Sequence, residues 1–557
     1  HLSQHHVRVL IRDGFARTEV EEEFVNQTDQ QLEGIFSFVA PPAVSISRLA
    51  LLEGNTLHEA EIVDQPRAAA LFNNLTSLRA TSHVPALLEW SGPELNLKVF
   101  PVEQHKPRRL LVAYNEMLKR EGNKIRYVYP LALGGDPSSA IDEVTISVDA
   151  NSQAFEFQDA AIGGYPAAVS RYAGHLRVKS VLRDARPEKD FVVEFRTKND
   201  APVQTSFYTP QWGESEELPI VERAKADSET SYAAFRIRVV PPDNVLAQRP
   251  GPRDWAFVVD RGFTQRNALQ VEKKVALQLL EGMAPDETFV VLACDSACSA
   301  FPKSGRLAPT AENIEQLRQW LDKIQAQETS DPARSIMTAC SKLQDNGRGQ
   351  ILYLGTGKPS AGEIDGEAGG RLVRNTLEQS RIDLRLVQVG ASLDDKWFSA
   401  FARFAGATFE ELAHDQPFDS QVSILSLHLR SPILRSPSIS VFDDLEDFYP
   451  KDLPNLRIGE EITLVGRLIR KQDQRVTIRG EFQGQKLAIT HSVEWRDDPK
   501  RQNPLLPRLW ATAAIAALER SGASAADLSK RFHVLARSTA FLILNNDETY
   551  AQFGIPK

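Results

Sequence analysis

Apolar and polar residues alternate with a period of two along much of the first 240 residues. Residues 6–25 show this alternation on both sides of an Asp13–Gly14 pair, which predicts two strands joined by a tight turn. Residues 65–72 break the alternation and predict a helix that begins near Pro66. Further strands are predicted at residues 32–38, 44–53, 95–100, 109–114, 144–148, 176–182, 191–195 and 234–240. Short strands separated by turns indicate antiparallel sandwiches.

The pattern changes between residues 254 and 412, where apolar runs alternate with segments of helical periodicity. The first run ends in Asp260 and passes through a glycine-containing loop into an amphipathic segment. This order is typical of a buried parallel strand that leads into a helix of a doubly wound sheet, whose ligands bind at the carboxyl ends of the strands. Later strands are predicted at residues 288–294, 350–354 and 384–390, and helices at 311–324, 331–343 and 366–379. The alternation predicts one α/β domain.

After residue 412 the chain returns to strands and ends in helices and a last strand at residues 539–544. We therefore predict a multidomain β and α/β protein. Its predicted parts are an N-terminal antiparallel β-sandwich over 1–130, a β-sandwich segment over 131–250, a doubly wound Rossmann-like domain over 251–415 and a C-terminal region of strands and helices over 416–557. A doubly wound domain can bring its two ends together, so the last region is a candidate to pack with 131–250 as one discontinuous domain.

The amino-acid composition and the net charge argue against some classes of binding partner. The chain has 557 residues, of which 42% are hydrophobic and 25% charged, and its net charge is -9. A sequence pI near 5.8 argues against nucleic acid or an anionic membrane surface as the partner. No apolar run approaches the roughly 20 residues of a membrane-spanning helix. The chain begins at His1 rather than at Met, which leaves room for a signal peptide or a membrane anchor outside it.

Three cysteines exclude a disulfide-built scaffold. Cys294 ends a predicted core strand, and Cys298 begins the next apolar stretch across a predicted hairpin. A disulfide between them and a pair of small buried thiols both agree with this spacing. The disulfide would indicate an oxidising compartment. Cys340 lies in a predicted helix as a core residue.

The first 130 residues resemble the vault protein inter-alpha-trypsin (VIT) domain. The residues that carry the resemblance are the Asp13-Gly14-Phe15-Ala16-x-Thr18 turn, Phe24-Val25-Asn26, Leu32-Glu33-Gly34-x-Phe36-x-Phe38 with Pro41, the helix containing Ala68, Leu87-Leu88-Glu89 and Val112-x-Tyr114-x-x-x-Leu118. In that family the domain stands directly before a von Willebrand factor type A domain. The whole chain is similar in layout to inter-alpha-trypsin inhibitor heavy chains. The resemblance therefore implies a VIT domain followed by a von Willebrand factor type A domain.

The order and spacing of residues 254–412 resemble a von Willebrand factor type A domain. That family assembles a metal-ion-dependent adhesion site from an Asp-x-Ser-x-Ser motif, a hydroxyl residue before a later helix and a Thr-Asp-Gly turn. Carried across, Asp260 matches the first acid, Thr264 the second hydroxyl of that motif and Ser330 the later hydroxyl. The resemblance thus implies a metal site formed by Asp260, Thr264 and Ser330.

Two positions depart from the family pattern. Gly262 stands where a hydroxyl ligand is expected, and Thr356 stands where the second acid is expected. Mg²⁺ requires about six oxygen ligands and usually takes carboxylates for charge compensation, so this donor set is weak. A degenerate site for Mg²⁺ or another divalent cation is one interpretation. The favoured one is that Asp260 caps its loop and the site is vestigial, with Gly262 and Thr356 in loops that contact a partner.

We predict that the chain is not an enzyme, because the sequence contains no nucleophile elbow, phosphate loop or zinc-binding helix motif. The resemblance implies a non-catalytic adhesion or scaffold protein that binds a protein or glycan at a cell envelope, in the periplasm or in an extracellular matrix. The alternative is a cytoplasmic assembly component of the vault-associated type, in which the same domains act as spacers. The redox state of Cys294 and Cys298 separates the two hypotheses.

Overall fold

The structure is a computed structural model. It describes residues 1–39, 44–53, 56–77, 85–91, 94–132, 140–172, 174–198, 201–209, 230–240, 251–262, 266–327, 329–343, 347–389, 396–412, 418–441, 445–470, 472–482, 484–493, 502–544 and 547–555. The predicted metal ligand Thr264 lies outside the described residues. No helix in these ranges combines the length and the apolar character needed to cross a bilayer.

The strands and helices are numbered along the described residues. The strands of the first half are β1 (Leu2–Arg12), β2 (Phe15–Val25), β3 (Leu32–Val39), β4 (Ser45–Glu53), β5 (Thr56–Glu59), β6 (Glu61–Asp64), β7 (Ala86–Ser91), β8 (Glu94–Val102), β9 (Pro107–Met117), β10 (Arg120–Glu121), β11 (Lys124–Tyr129), β12 (Ile141–Asn151), β13 (Glu156–Gly163), β14 (Ala168–Tyr172), β15 (His175–Ala185), β16 (Phe191–Lys198), β17 (Val203–Tyr208) and β18 (Ser231–Arg238). The later strands are β19 (Asp254–Asp260), β20 (Thr288–Cys294), β21 (Cys298–Phe301), β22 (Gly349–Gly355), β23 (Asp383–Gln388), β24 (Thr408–Glu411), β25 (Ile433–Val441), β26 (Leu445–Tyr449), β27 (Leu456–Arg457), β28 (Glu461–Leu468), β29 (Gln474–Phe482), β30 (Gln485–Val493) and β31 (Thr539–Ile543). The helices are α1 (Gln65–Ser77), α2 (Arg266–Glu281), α3 (Ala311–Asp322), α4 (Pro332–Lys342), α5 (Gly366–Gln379), α6 (Lys396–Ala405), α7 (Phe418–Arg430), α8 (Leu506–Arg520), α9 (Ala526–Phe532) and α10 (Asp547–Gln552).

One eight-stranded sheet, with strand order β14-β15-β12-β1-β2-β9-β4-β5, is shared by two sandwiches. The part of this sheet that contains β4 and β9 packs on a five-stranded sheet with order β3-β8-β7-β31-β6. The part that contains β1, β12 and β15 packs on a four-stranded sheet with order β10-β11-β16-β13. Alternating apolar residues fill both interfaces, which is the packing that a period of two predicts.

Strand pairing crosses the domain boundaries predicted from the sequence. β1 pairs in parallel with β12, so the eight-stranded sheet continues past residue 130. The C-terminal strand β31 lies between β6 and β7 and completes the second sheet of the N-terminal sandwich. A period of two shows which side chains face the core but does not show which strands are neighbours. The sequence pattern therefore predicted where the strands lie along the chain, but not which strands pair with one another.

A third sandwich uses strands from both sides of the α/β domain. β18 pairs with β28 in a sheet of order β17-β18-β28-β26, which packs on a sheet of order β27-β25-β29-β30. Helix α8 covers the other face of the first of these sheets and reaches Phe15 of the N-terminal sandwich. Within the predicted segment 131–250, β17 and β18 belong to this sandwich, whereas β12 to β16 belong to the two N-terminal sheets.

The α/β domain has a six-stranded sheet of order β21-β20-β19-β22-β23-β24. All of its neighbouring strands are parallel except β20 and β21, which form a hairpin. Helices α4, α5 and α6 cover one face, and α2, α3 and α7 cover the other. This is the doubly wound arrangement that the sequence predicts, with Asp260 at the carboxyl end of the central strand β19.

The Asp13–Gly14 turn joins the N-terminal sandwich to its neighbours. Asp13 and Gly14 have φ angles of 52° and 76°, the left-handed values that a tight hairpin of this kind requires. One Asp13 carboxylate oxygen accepts a hydrogen bond from Ser152 Oγ at 2.7 Å, and the other accepts one from Ser206 Oγ at 2.9 Å. The turn is therefore a buried junction between β12, β17 and the first hairpin.

Arg236 on β18 connects the same turn to the third sandwich. Its Nη2 donates to the backbone carbonyls of Gly14 at 3.1 Å and Leu118 at 2.6 Å, and its Nη1 lies 3.5 Å from a carboxylate oxygen of Glu461 on β28. The Phe15 ring lies 5.1 Å from the guanidinium. Burial lowers the pKa of Arg236, and the Glu461 carboxylate opposes that effect. A Cβ at residue 14 would lie 2.2 Å from Arg236 Nη1, so only glycine fits there.

Substitution of Arg236 by methionine should destabilise the protein by about 3 kcal/mol, because it leaves two buried carbonyls without their donor and removes one of the two cations beside Glu461. The matched control is Arg196→Met on β16, where the arginine is 57% exposed in its ion pair with Asp159. That change should cost at most about 1 kcal/mol. Urea unfolding measures both values. Equal effects of the two substitutions would contradict the assigned role of Arg236.

Candidate functional site

The candidate site lies at the carboxyl edge of the parallel sheet, where three loops meet. The loop after β19 begins at Asp260, the segment before α4 contains Ser330, and the loop after β22 begins at Thr356. β19 pairs in register with both β20 and β22, which places Asp260 opposite Cys294 and Val259 opposite Leu354. Carboxyl ends of parallel strands share one edge, so these loops converge.

Asp260 uses both of its carboxylate oxygens within the protein. Oδ2 accepts hydrogen bonds from Ser330 Oγ at 2.5 Å and from the Tyr353 hydroxyl, and Oδ1 accepts one from the Gly262 amide at 3.0 Å. The residue is 3% exposed. Burial raises the pKa of Asp260, and the three hydrogen bonds lower it in part. We call Asp260, Gly262, Ser330 and Tyr353 the Asp260 cluster.

Gly262 allows the loops to close over Asp260. A Cβ at this position would lie 2.7 Å from Ser330 Cβ and 3.0 Å from the Thr329 carbonyl oxygen. Gly262 also forms a β-bridge with Gln327, whose amide donates to the Arg261 carbonyl at 2.7 Å. A hydroxyl side chain at residue 262, as the family pattern has, would collide with this segment.

The loop after β22 is tied to the same segment. Ser330 N donates to Ser360 Oγ at 2.9 Å, and the amides of Ser360 and Ala361 donate to the Ser330 carbonyl at 2.9 and 3.0 Å. A Cβ at Gly362 would lie 2.4 Å from an Asp331 carboxylate oxygen, and the φ of Gly362 is +67°. Glycine at 362 therefore permits a close approach of this loop to the start of α4.

The structure brings some of the predicted site residues together and leaves others apart. Asp260 and Ser330 lie together, as a hydrogen-bonded pair. Gly262 and Thr356 are themselves buried, so contact of their loops with a partner, which stays a prediction, would have to use other residues of those loops. Thr264 lies outside the described residues. Cys294 and Cys298 are joined by a disulfide across the β20–β21 hairpin.

The described residues do not fit a divalent cation. Asp260 is the one carboxylate that they contribute to the cluster, and its oxygens are engaged by two hydroxyls and an amide. Within the described ranges, no group of three or more His, Cys, Asp or Glu side chains is arranged to hold a metal ion. A cation at Asp260 would have to displace the Ser330 and Tyr353 hydroxyls, while Thr356 replaces the second acid.

Sequence reasoning missed two residues of the site. Tyr353 lies in the apolar strand β22, where a tyrosine resembles any core aromatic residue until its hydroxyl is traced to Asp260. Glu272 lies on the buried face of α2 and is fully buried, and within the part of the chain that the structure describes no group is placed at hydrogen-bond distance and angle from either of its side-chain oxygens. Its spacing of three and four residues from buried Leu269 and Ala276 was the available signal.

Glu272 should make the protein less stable as the pH rises. Burial, and secondarily the charge of Asp260, raises the pKa of Glu272 well above its ordinary value. A raised pKa favours the folded state below the unfolded-state pKa of about 4.3, and this contribution is lost as the pH rises through the folded-state value. We therefore expect Glu272→Gln to unfold at a higher temperature than the wild type at neutral and alkaline pH, with the difference vanishing near pH 4.

Calorimetric melting at several pH values measures this difference. Glu281→Gln is the control because it removes one negative charge from an exposed position of the same helix. A Glu272→Gln profile parallel to that of the wild type would contradict the prediction.

Comparisons with known proteins agree with part of the sequence interpretation. Residues 2–114 match the family model of the vault protein inter-alpha-trypsin domain, which confirms the predicted N-terminal VIT domain. No curated protein sequence is similar enough to the chain to count as a match. The similarity to inter-alpha-trypsin inhibitor heavy chains stays a prediction.

Several solved structures are similar to part of the chain. A von Willebrand factor type A structure from Catenulispora acidiphila has a TM-score of 0.35 and 9% identity, over 52% of this chain and 75% of that one. An aerotolerance-related membrane protein from Bacteroides fragilis has a TM-score of 0.26 and 12% identity, over 32% and 98%. The pilus adhesin SpaC from Lactobacillus rhamnosus GG has a TM-score of 0.28 and 9% identity, over 54% and 48%. The chain thus has a VIT domain at residues 2–114 and is similar, at these low scores, to structures that include a von Willebrand factor type A protein.

Proposed function

We propose that the chain is a non-catalytic scaffold that binds a protein partner beside the Asp260 cluster. In this proposal the cluster braces the loops, and recognition uses the exposed loop between β22 and α5, residues 356–365. The VIT match at residues 2–114 supports a modular protein of this kind. The observation that carries the proposal is an exposed apolar side chain on a loop held firmly in place.

Ile364 is that side chain, and it is 63% exposed. Its loop is held at one end by the backbone hydrogen bonds to Ser330 and at the other by Asp365, whose carboxylate caps α5 by accepting from Ala368 N at 2.8 Å. Leu372, further along α5, is 60% exposed. A rigid loop loses little conformational entropy on binding, which favours recognition at this position. Exposed aliphatic side chains favour a protein partner over a glycan.

The disulfide supports a location in an oxidising compartment. Cys294 and Cys298 close the β20–β21 hairpin beside the site, and Arg261 forms an ion pair with Asp295 in the same hairpin at 3.0 Å. Disulfides persist in extracellular and periplasmic proteins, whereas cytosolic thiols are kept reduced. We therefore propose the cell envelope or the extracellular space. The cytoplasmic, vault-type assembly component would instead keep both thiols reduced.

Substitution of Ile364 by lysine should remove partner binding without unfolding the protein. The test is affinity capture from extracts of the source cells, with bound proteins compared between the wild type and the variant. The control is Leu427→Lys on α7, which is 67% exposed and belongs to the helices that cover the opposite face of the sheet. We expect at least a tenfold loss of the specific partner, equivalent to about 1.4 kcal/mol, for Ile364→Lys alone.

Equal recovery of the partner by the wild type and Ile364→Lys would contradict the proposed binding face. Equal loss of the partner from both variants would also contradict it, because Ile364 lies just before α5 and Leu427 lies on α7, and these two helices cover opposite faces of the sheet. Circular dichroism of each variant confirms that the comparison is made between folded proteins.

A further inference from the structure

A cavity of about 370 Å³ lies where the second sandwich meets the third, away from the Asp260 cluster. Its lining includes Arg120 at β10, Thr197 and Lys198 at the end of β16, Gln158 on β13 and Arg238 on β18. Asn123, between β10 and β11, also lines the cavity. Ligand sites of small molecules usually have volumes of about 300–1,000 Å³ and often lie at junctions between modules.

The charges at this cavity have one sign. Arg120, Lys198 and Arg238 are all cations, and no carboxylate is among the lining residues in the described part of the chain. Behind them, Glu461 pairs with Arg120 at 3.8 Å and also with Arg236. One carboxylate therefore contacts two buried arginines, and the described lining of the cavity itself carries three cations and no carboxylate. A local positive excess in a chain of net charge -9 indicates attraction of an anion.

Lys198 is the most exposed of the three cations that line the cavity. Its side chain is exposed, and no ion pair joins it to any residue that the structure describes. Glu156 stands opposite it in the β13–β16 register but does not line the cavity. Arg120 is fixed in direction by a hydrogen bond from its Nε to the Gly122 carbonyl at 3.1 Å. A fixed guanidinium and a free ammonium together suit the oxygens of a phosphate or sulfate group.

We propose that this cavity binds a small phosphate or sulfate ester of about the size of a monosaccharide. The ester group would lie among Arg120, Lys198 and Arg238. A bare oxyanion would leave most of 370 Å³ unfilled, and the amide groups of Asn123 and Gln158 offer donors and acceptors for sugar hydroxyls. Thr197 is held in place because its Oγ1 donates to the Asn123 carbonyl at 3.1 Å, which leaves its oxygen able to accept. This site is independent of the function proposed for the α/β domain.

The test is calorimetric titration of the full chain with glucose 6-phosphate, glucose 6-sulfate, inorganic phosphate and glucose at matched ionic strength. At least one ester should bind saturably with a Kd of about 1 mM or tighter, and glucose should not bind. The comparison of the two esters identifies which group the site prefers. Lys198→Glu should weaken the ester at least about tenfold, and Lys198→Gln should weaken it less, because the first change reverses a charge and the second removes it.

Lys179→Glu is the matched control, since Lys179 is an exposed lysine on β15 of the eight-stranded sheet. It should bind the ester as tightly as the wild type. The absence of saturable heat from both esters would overturn the proposal, as would equal weakening by Lys179→Glu and Lys198→Glu. Inorganic phosphate that binds as tightly as the sugar phosphate would overturn the assigned ligand size.

Discussion

A carboxylate buried at the end of a central parallel strand has to be compensated by donors or by a cation, and Asp260 is compensated by the protein itself. Ser330, Tyr353 and the Gly262 amide supply its hydrogen bonds. The loop conformations around it follow from that arrangement. Ser330 can reach Asp260 because residue 262 has no side chain, and the loop after β22 is held because Ser330 also binds it through its backbone. The exposed position of Ile364 depends on this chain of contacts.

The β-sandwiches hold the α/β domain at both of its ends. Strands β18 and β28 come from before and after that domain, and their pairing closes it into one sheet of the third sandwich. Arg236 then fixes this sheet to the Asp13–Gly14 turn of the VIT domain. The last strand β31 returns to the VIT domain between β6 and β7. The modules are therefore connected by backbone pairing and buried charge, which suits a protein that presents one surface from a stiff frame.

Sequence periodicity was sufficient to predict whether a segment is a strand or a helix, but it was insufficient to predict which strands pair. The alternation in residues 6–25 and the alternating strands and helices of residues 254–412 follow directly from side-chain burial. The pairing of β1 with β12 and of β31 with β6 depends on long-range contacts that no local pattern encodes. At the site, Asp260 and Ser330 were predictable from their order along the chain. Tyr353 was not recognised because, in an apolar strand, it resembles any aromatic core residue. Glu272 was not recognised because, in an amphipathic helix, it resembles a solvent-exposed glutamate.

We propose that protein donors, and not a metal ion, complete the environment of Asp260. Calorimetric titration of Mg²⁺, Mn²⁺ and Ca²⁺ into metal-stripped protein tests it most directly, with Asp260→Ala as the matched variant. We expect no saturable heat from the wild type with any of the three ions. Saturable heat in the wild type that disappears in Asp260→Ala would contradict the account and restore a metal site at the carboxyl edge of the sheet.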